Sequence, residues 1–392
     1  MTNQTSSGAP SVVRRANPGD VDRILDLLTE YALPRSYFEP LYFADPTYGP
    51  EQSWLIEQDG RVAAHARLFD RWIRMHGTTL HIAGLGNVIT AQAFRGRGHA
   101  GRLLGAMTAA ATSEHFPYSL LWTHLPTLYE RYGWVSIDQP TLRALLSDLP
   151  SDGTRIDPYA PEDLPEIMRM YETTNQNRTG PTIRTPEYWR AQLIWLENDP
   201  GDFLVARTQN GSLAGYLRSR VTHSEVKILE LGAETEHPDV ARALVARAAR
   251  RRGNHLQARL PLSLVDVIPE SERDIEDDSR FMGRILDVDA LVGTLSPVLL
   301  RRAEAAGLRD AALSLATSSG SVDLRLAAGQ VTLDHRGAPD PLACLNQGEL
   351  AHLLFHGFDQ MAAEVLDGRP ETALLRVLFP AQDFVIWPAD AF

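Results

Sequence analysis

The stretch Arg95-Gly96-Arg97-Gly98-His99-Ala100 narrows the possible folds more than any other, because of what flanks it. Residues 79–90 before it read as a strand. After it, Ala100, Leu103, Leu104, Met107, Ala110 and Ala111 recur at helical spacing on one face. A helix start leaves several backbone amides unpaired and carries about half a positive charge. Gly96 and Gly98 let the backbone approach an anion closely, and Arg95 and Arg97 add cations able to grip phosphate oxygens. Strand, glycine loop and helix together predict a cradle of pyrophosphate size. The plainer alternative is a tight turn with two surface arginines. A Walker loop is excluded, since no Gly-Lys-Ser/Thr follows. Gly98 and Gly101 have the spacing of a dinucleotide fingerprint, but the loop follows an antiparallel meander rather than opening a βαβ unit.

The surrounding pattern has three blocks. The first reads β-α-α-β-β-β-α-β-α-β. Val21, Ile24, Leu25, Leu27 and Leu28 mark its first helix and residues 38–43 its second. Asp59-Gly60 and His76-Gly77 mark hairpin turns. A strand over 118–123, a short helix PTLYERY and a strand pair near 133–147 complete it. The linker LPSDGT follows. A second block then repeats the order in different letters, with a hairpin at Asn210-Gly211. Its helix PDVARALVARAARR lacks the glycine loop, which predicts one anion site per chain. The third block is α+β: a helix SPVLLRRAEAAG, three strands and one long apolar helix from Asn346 to Leu366. The predicted domains are 1–150, 151–284 and 285–392.

Composition removes several function classes. A chain of 392 residues exceeds one ordinary core. With 44% hydrophobic and 22% charged residues it is an ordinary globular sequence, and no apolar run approaches the ~20 residues that span a bilayer. The polar start MTNQTSSGAP lacks a signal peptide's apolar core, so a cytoplasmic protein is expected. Cys344 is the only cysteine. It excludes an intrachain disulfide and a cysteine metal cluster, and reads as a core residue. A net charge of −12 argues against nucleic acid and suits a cationic small molecule, although solubility alone would explain it. The single lysine, Lys227, argues against Schiff-base chemistry.

Arg95-x-x-Gly98-x-Ala100 resembles motif A of the GNAT N-acetyltransferases, and the element order of the first block resembles their fold. The resemblance implies acetyl-CoA as co-substrate and no metal. It implies that Val88, Ile89 and Thr90 pair with the pantetheine arm and supply an oxyanion donor. Arg95, Gly96, Arg97, Gly98, His99, Ala100 and Gly101 then hold the pyrophosphate. The three blocks together resemble the Eis-like (enhanced intracellular survival) acetyltransferases. That resemblance implies a mixed α+β and α/β fold: two tandem GNAT-type domains, the second without a cofactor loop, followed by a sterol-carrier-protein-like α+β domain. It further implies a small-molecule amine acceptor such as an aminoglycoside or polyamine, and a homo-oligomer, often a hexamer; charge and hydropathy, as above, lead to the expectation of no nucleic-acid or membrane partner.

The segment LYERYGW (128–134) resembles the family's Tyr-x-x-Phe/Tyr-Gly-Tyr/Trp stretch. It makes Tyr129 the expected general acid and Tyr132 a packing residue. The family's base is the carboxylate of the last residue, here Phe392. His124-Leu125 stand where the family commonly has Ser-Glu, which makes His124 an alternative base and both residues cofactor contacts. The competing reading is a non-catalytic acyl-CoA or lipid-binding protein with a vestigial coenzyme A site. Arg95, Gly98 and Tyr129 count against it.

Overall fold

The computed structural model describes residues 12–390 apart from 148–153, 196–198, 234–237, 277, 309, 318–319, 328, 335–343 and 370–371. The chain opens with β1 (Val13–Arg15), α1 (Val21–Leu28) and α2 (Arg35–Phe43), then a meander of β2 (Ser53–Gln58), β3 (Arg61–Met75) and β4 (Thr78–Thr90). Asn17 starts the first helical turn by accepting the Gly19 amide, while Asp20 accepts the amide of Asn17. All five apolar positions expected to face inward from α1 are buried. Asp59-Gly60 and His76-Gly77 both form two-residue turns. Each has positive φ at both positions, 52° and 72° in the first, 53° and 81° in the second. That backbone sense matches the twist of tightly linked antiparallel strands. After α3 (His99–Ser113) come β5 (Tyr118–Trp122), α4 (Pro126–Glu130), β6 (Val135–Ser136) and β7 (Thr141–Leu145). α3 buries Leu103, Leu104, Met107 and Ala111, with Ala100 and Ala110 half-buried beside them.

The second block comprises β8 (Arg155–Pro158), α5 (Leu164–Asn175), α6 (Pro186–Trp195), β9 (Phe203–Arg207), β10 (Leu213–Val221), β11 (Val226–Ala233), α7 (Pro238–Ala249), β12 (His255–Ala258) and β13 (Arg273–Glu276). β14 (Phe281–Ile285) follows. Two seven-stranded sheets result, in matching order: β1-β2-β3-β4-β5-β14-β6 and β8-β9-β10-β11-β12-β7-β13. The repeat expected from the sequence is therefore present in topology. Each sheet, however, takes its sixth strand from beyond its own block. β7, expected within the first domain, pairs with β12 and β13. β14, which straddles the expected boundary at 284, pairs with β5 and β6. The sheets thus cross both predicted boundaries. Gly283 makes the insertion possible, since a Cβ there would lie 2.7 Å from Ile137 Cδ1 and overlap the Tyr118 hydroxyl. The loop between β11 and α7, where the second block was expected to lack a cradle, lies outside the described residues, as does most of the linker.

The third block contains α8 (Val288–Ala305), β15 (Asp310–Thr317), β16 (Gly320–Ala327), β17 (Gln330–Asp334), β18 (Cys344–Leu345), α9 (Gln347–Phe355), α10 (Gln360–Leu366) and α11 (Thr372–Leu378). Its sheet runs β17-β16-β15-β18. Cys344 starts β18, but its side chain lies outside the described residues. Two expectations are corrected. α8 starts eight residues before Ser296, because the Asp287 carboxylate accepts the Ala290 amide at 3.0 Å and caps the helix there. Pro297 consequently lies inside a helix it was expected to open. The single long helix is broken after Phe355. Gly357 takes φ 73°, and Asp359 caps a new helix through the Ala362 amide at 3.0 Å.

The third block covers one face of the first sheet, where Leu291, Leu295, Leu299 and Phe355 pack with Ile73, Ile82, Tyr118 and Leu120. α1, α2 and α3 cover the other face. The carboxy-terminal segment then crosses to the second sheet. Val385 and Trp387 join its core, and Trp387 Nε1 donates to Asn175 Oδ1 at 3.1 Å. A fragment of residues 12–147 should show no cooperative thermal transition by circular dichroism. It keeps the cradle and every first-block helix but loses β14, leaving β5 and β6 as unpaired edges. A sharp transition in the fragment would contradict this dependence.

Candidate active site

The parallel pairing of β4 with β5 ends at Leu85 and Leu121. β4 continues along β3, but with a bulge: Asn87 and Val88 stand opposite Ala66 alone. Asn87 holds this bulge. It adopts φ 53°, its side-chain amide donates to the Tyr42 hydroxyl at 3.2 Å, and its carbonyl lies 3.1 Å from His65 Nδ1. Burial lowers the pKa of His65 to about 3, so the ring is neutral and Nδ1–H is the donor. β5 turns away, with the Thr123 amide donating to the Arg280 carbonyl at 2.9 Å. A wedge opens between the strands, and on that side Val88, Ile89 and Thr90 have no strand partner. The Tyr31 hydroxyl reaches into it and donates to the Val88 carbonyl at 2.7 Å.

The glycine loop stands at the end of β4. Gly96 and Gly98 both take φ 76°, and a Cβ at either would meet nothing within 4 Å. The first helical bond of α3 runs from the Arg102 amide to the Gly98 carbonyl at 3.2 Å. The amides of His99, Ala100 and Gly101 precede it and are available to an anion. Open glycines, unsatisfied amides and an unpaired strand fit the pyrophosphate and pantetheine of coenzyme A. The side chains behave less uniformly. Arg95 is exposed, with Nε donating to the Thr90 carbonyl at 3.2 Å, and Arg97 donates to the Ala93 carbonyl at 3.2 Å. The His99 ring turns inward to Gln58 at 3.2 Å, and burial followed by Arg102 and Arg97 lowers its pKa. His99 therefore offers the cradle its amide rather than its ring. Gly101 has no room for a side chain, because the Tyr132 hydroxyl packs across the first turn of α3.

Tyr129 is buried at the end of α4, its ring edge-on to Trp134 at 6.2 Å. Burial raises its pKa to about 12, opposed by a hydrogen bond with Thr123. Tyr31 stands close enough to feel it: desolvation and then Tyr129 hold the Tyr31 phenol well above its ordinary pKa. The two phenols and the free edge of β4 thus share one corner of the wedge. His124 is exposed on the wall of a neighbouring cavity, and Leu125 is 63% exposed with its amide on Thr123 Oγ1. Neither lies on the glycine loop. Phe392 lies outside the described residues; the chain reaches the site as far as Pro388, Ala389 and Asp390.

Two cavities adjoin the wedge between the sheets. The first, 420 Å³, is lined by Tyr31, Tyr37, Asn87, Trp122, Tyr188 and Arg220, among others. The second, 310 Å³, shares Trp122, Leu229 and Pro388 with it. The carboxylates lining the first are already paired. Asp45 accepts Arg67 and Arg71 at 2.7 and 2.6 Å, and Asp390 accepts Arg184 at 2.8 Å. Among the described residues the cavities present no free acid. Sequence reasoning missed Tyr31 and the second-block walls Tyr188, Arg220 and Leu229. Tyr31 reaches the site through packing within the first block, and the other three only through the packing of the two sheets.

Residues 12–137 match the family of acetyltransferase (GNAT) domains. This part of the chain is a GNAT acetyltransferase domain. The fold of the chain is that of solved structures similar over almost the whole length. A GCN5-related N-acetyltransferase from Anabaena variabilis has 17% identity and a TM-score of 0.71, covering 97% of this chain and all of that one. One from Kribbella flavida has 18% identity and a TM-score of 0.71, covering 97% and 99%. Eis1 from Mycobacterium abscessus has 15% identity and a TM-score of 0.66, covering 97% and 100%. No curated protein matches the sequence. A GNAT domain uses acyl-CoA, and no group of three or more metal-ligating side chains occurs among the described residues of this acetyltransferase. No helix among those residues is long and apolar enough to cross a membrane.

Gly98→Glu should raise the acetyl-CoA Kd at least ~100-fold by calorimetry, because it places a carboxylate where the phosphates belong and strains a left-handed residue. The melting temperature should fall only slightly, since the new side chain meets open space. Unchanged affinity would remove the cradle from the binding site.

Proposed function

We propose that this enzyme transfers the acetyl group of acetyl-CoA to an amine by direct attack on the thioester, in the wedge between β4 and β5. The observation that carries the reading is the splay itself. It leaves Val88–Thr90 without a strand partner on one side, between the glycine cradle and a buried phenol, with side chains alone (Tyr31 on the Val88 carbonyl, Arg95 on that of Thr90) reaching its backbone. Acetyl-CoA supplies an activated acyl group with a thiolate leaving group. Gly96, Gly98 and the first amides of α3 would hold its pyrophosphate, with Arg95 and Arg97 able to swing onto it. The free edge of β4 would align the pantetheine arm, and a backbone amide of Val88–Thr90 would donate to the carbonyl oxygen as it becomes an oxyanion. Tyr129 would give its proton to the departing sulfur, and the proton shed by the attacking nitrogen would return to the phenolate, so that one proton passes in net from nitrogen to sulfur. Burial suits it to that role, because a phenol titrating near 12 is fully protonated at neutral pH.

Thiol release from acetyl-CoA with a panel of amines tests the reading. Turnover is expected with at least one amine, and none with any would defeat it. Tyr129→Phe should lower kcat by ~10²-fold or more while leaving the KM for acetyl-CoA nearly unchanged. An equal loss in both would make Tyr129 a packing residue.

The raised pKa also fixes a pH dependence. The proton-donating form of Tyr129 is lost only as pH rises through about 12. The kcat of the wild type should therefore not fall between pH 8 and 10 on account of this residue. A kcat that falls tenfold per unit above pH 9, and no longer does so in Tyr129→Phe, would overturn the assignment.

A further inference from the structure

The second cavity has a sign opposite to the molecule as a whole. The chain carries a net charge of −12, yet the charged residues lining this cavity are Arg143, Lys227, Arg259 and Arg280, with no carboxylate among them. Their acidic partners stand behind them. Asp278 holds Arg259 and Arg280 at 2.7 Å each, and Arg143 is held by Glu225 and Glu276 at 2.6 and 2.9 Å. One carboxylate shared by two guanidiniums leaves that pair a net cation. Both also lie over the Trp122 ring, Arg259 at 3.9 Å and Arg280 at 5.1 Å from its centroid. This places the shared positive charge against a residue common to both cavities.

One further cation, Arg220, lines the first cavity and stands beside Lys227 of the second. Lys227 lies directly across the β10–β11 ladder from Arg220, so the two side chains leave the sheet on the same face. Leu229, two residues along β11 from Lys227, lines both cavities. Neither the Arg220 nor the Lys227 side chain makes an ion pair or hydrogen bond among the described residues. Two adjacent like charges without a counterion repel each other, an arrangement that an anion between them relieves. Lys227 is the only lysine of the chain, and it lines this cavity.

We propose that Arg220, Lys227, Arg259 and Arg280 form an anion subsite that binds a carboxylate on the acceptor, so that this enzyme acetylates an amine carrying its own negative charge, of amino-acid or peptide type. The proposal rests on acetyl transfer to an amine at the wedge, and adds to it the chemistry of the acceptor's far end. It departs from the cationic acceptor expected from overall charge, because the local wall rather than the net charge meets a molecule inside the cleft.

The test uses two acceptors with the same amine and chain length, 5-aminopentanoate and 5-aminopentanamide. The wild type should favour the acid in kcat/KM by ~10-fold or more, about 1.4 kcal/mol. In Arg220→Gln/Lys227→Gln the acid-to-amide ratio should fall toward one. An equal or greater kcat/KM for the amide in the wild type overturns the subsite while leaving acetyl transfer standing. The coenzyme's own phosphates and the chain's terminal carboxylate are the other anions at hand; if the terminal carboxylate takes the cations, the wild type does not favour the acid. A raised KM for acetyl-CoA in the double variant, with the acid-to-amide ratio unchanged, assigns the cations to the coenzyme and overturns the proposal. Calorimetric titration of both compounds into the enzyme saturated with coenzyme A reads the subsite without turnover. Binding of the acid that is weakened in the double variant supports it, and no difference between acid and amide overturns it. Failure of every amine to release thiol defeats the transfer reading alone.

Discussion

The structure depends on a reciprocal exchange of strands. β14 inserts between β5 and β6, and β7 inserts between β12 and β13, so neither sheet is complete with its own block. Backbone hydrogen bonding enforces this arrangement, because a gap at the sixth position would leave two buried edges unpaired. The exchange also builds the cleft. The turn entering β14 brings Arg280 and Asp278 beneath Trp122 at the end of β5, while β7 carries Arg143 to the same wall. The walls of both cavities therefore come from residues far apart in sequence.

A second set of contacts ties the carboxy-terminal segment to this frame. Arg184 is fully buried between Glu230 and Asp390, and the Tyr216 hydroxyl donates to Glu230 at 2.6 Å. Such a group is costly to desolvate, and loss of the guanidinium alone would strand two buried carboxylates. What the cluster contributes is position. It fixes Asp390, and with it Pro388 and Ala389, at the wall of the first cavity. Gly180 allows this. At φ 106° it lets the Val385 carbonyl approach where a Cβ would overlap it.

Local features of this fold were legible in the sequence. Alternating and helical spacings placed the first-block elements, Asp59-Gly60 and His76-Gly77 gave their turns, and the glycine loop fell at a helix start. Each of these is decided within a few residues. The exchange was not legible, because β7 and β14 read as strands without saying which sheet they join. The helix errors have the same origin. Pro297 resembles a helix opener until Asp287 is known to cap an earlier start, and Gly357 breaks an apolar run whose spacing alone would continue. In the site, the loop could be read from local pattern, whereas Tyr129 stood out only through its resemblance to the family's Tyr-x-x-Phe/Tyr-Gly-Tyr/Trp stretch. Tyr31, Arg220 and the side-chain direction of His99 could not be read, because packing between distant segments decides them.

The exchange has a consequence for how the chain is made. Phe281 must pair with Trp122 across the whole of the second block, so the first sheet stays open while that block emerges from the ribosome. Until then the apolar edges of β5 and β6 are exposed to wrong partners, and pairing across so long a loop is intrinsically slow. During synthesis this acetyltransferase passes through a long interval in which a molecular chaperone has an exposed strand edge to protect, and its yield in a cell should depend on that protection more than its final stability suggests.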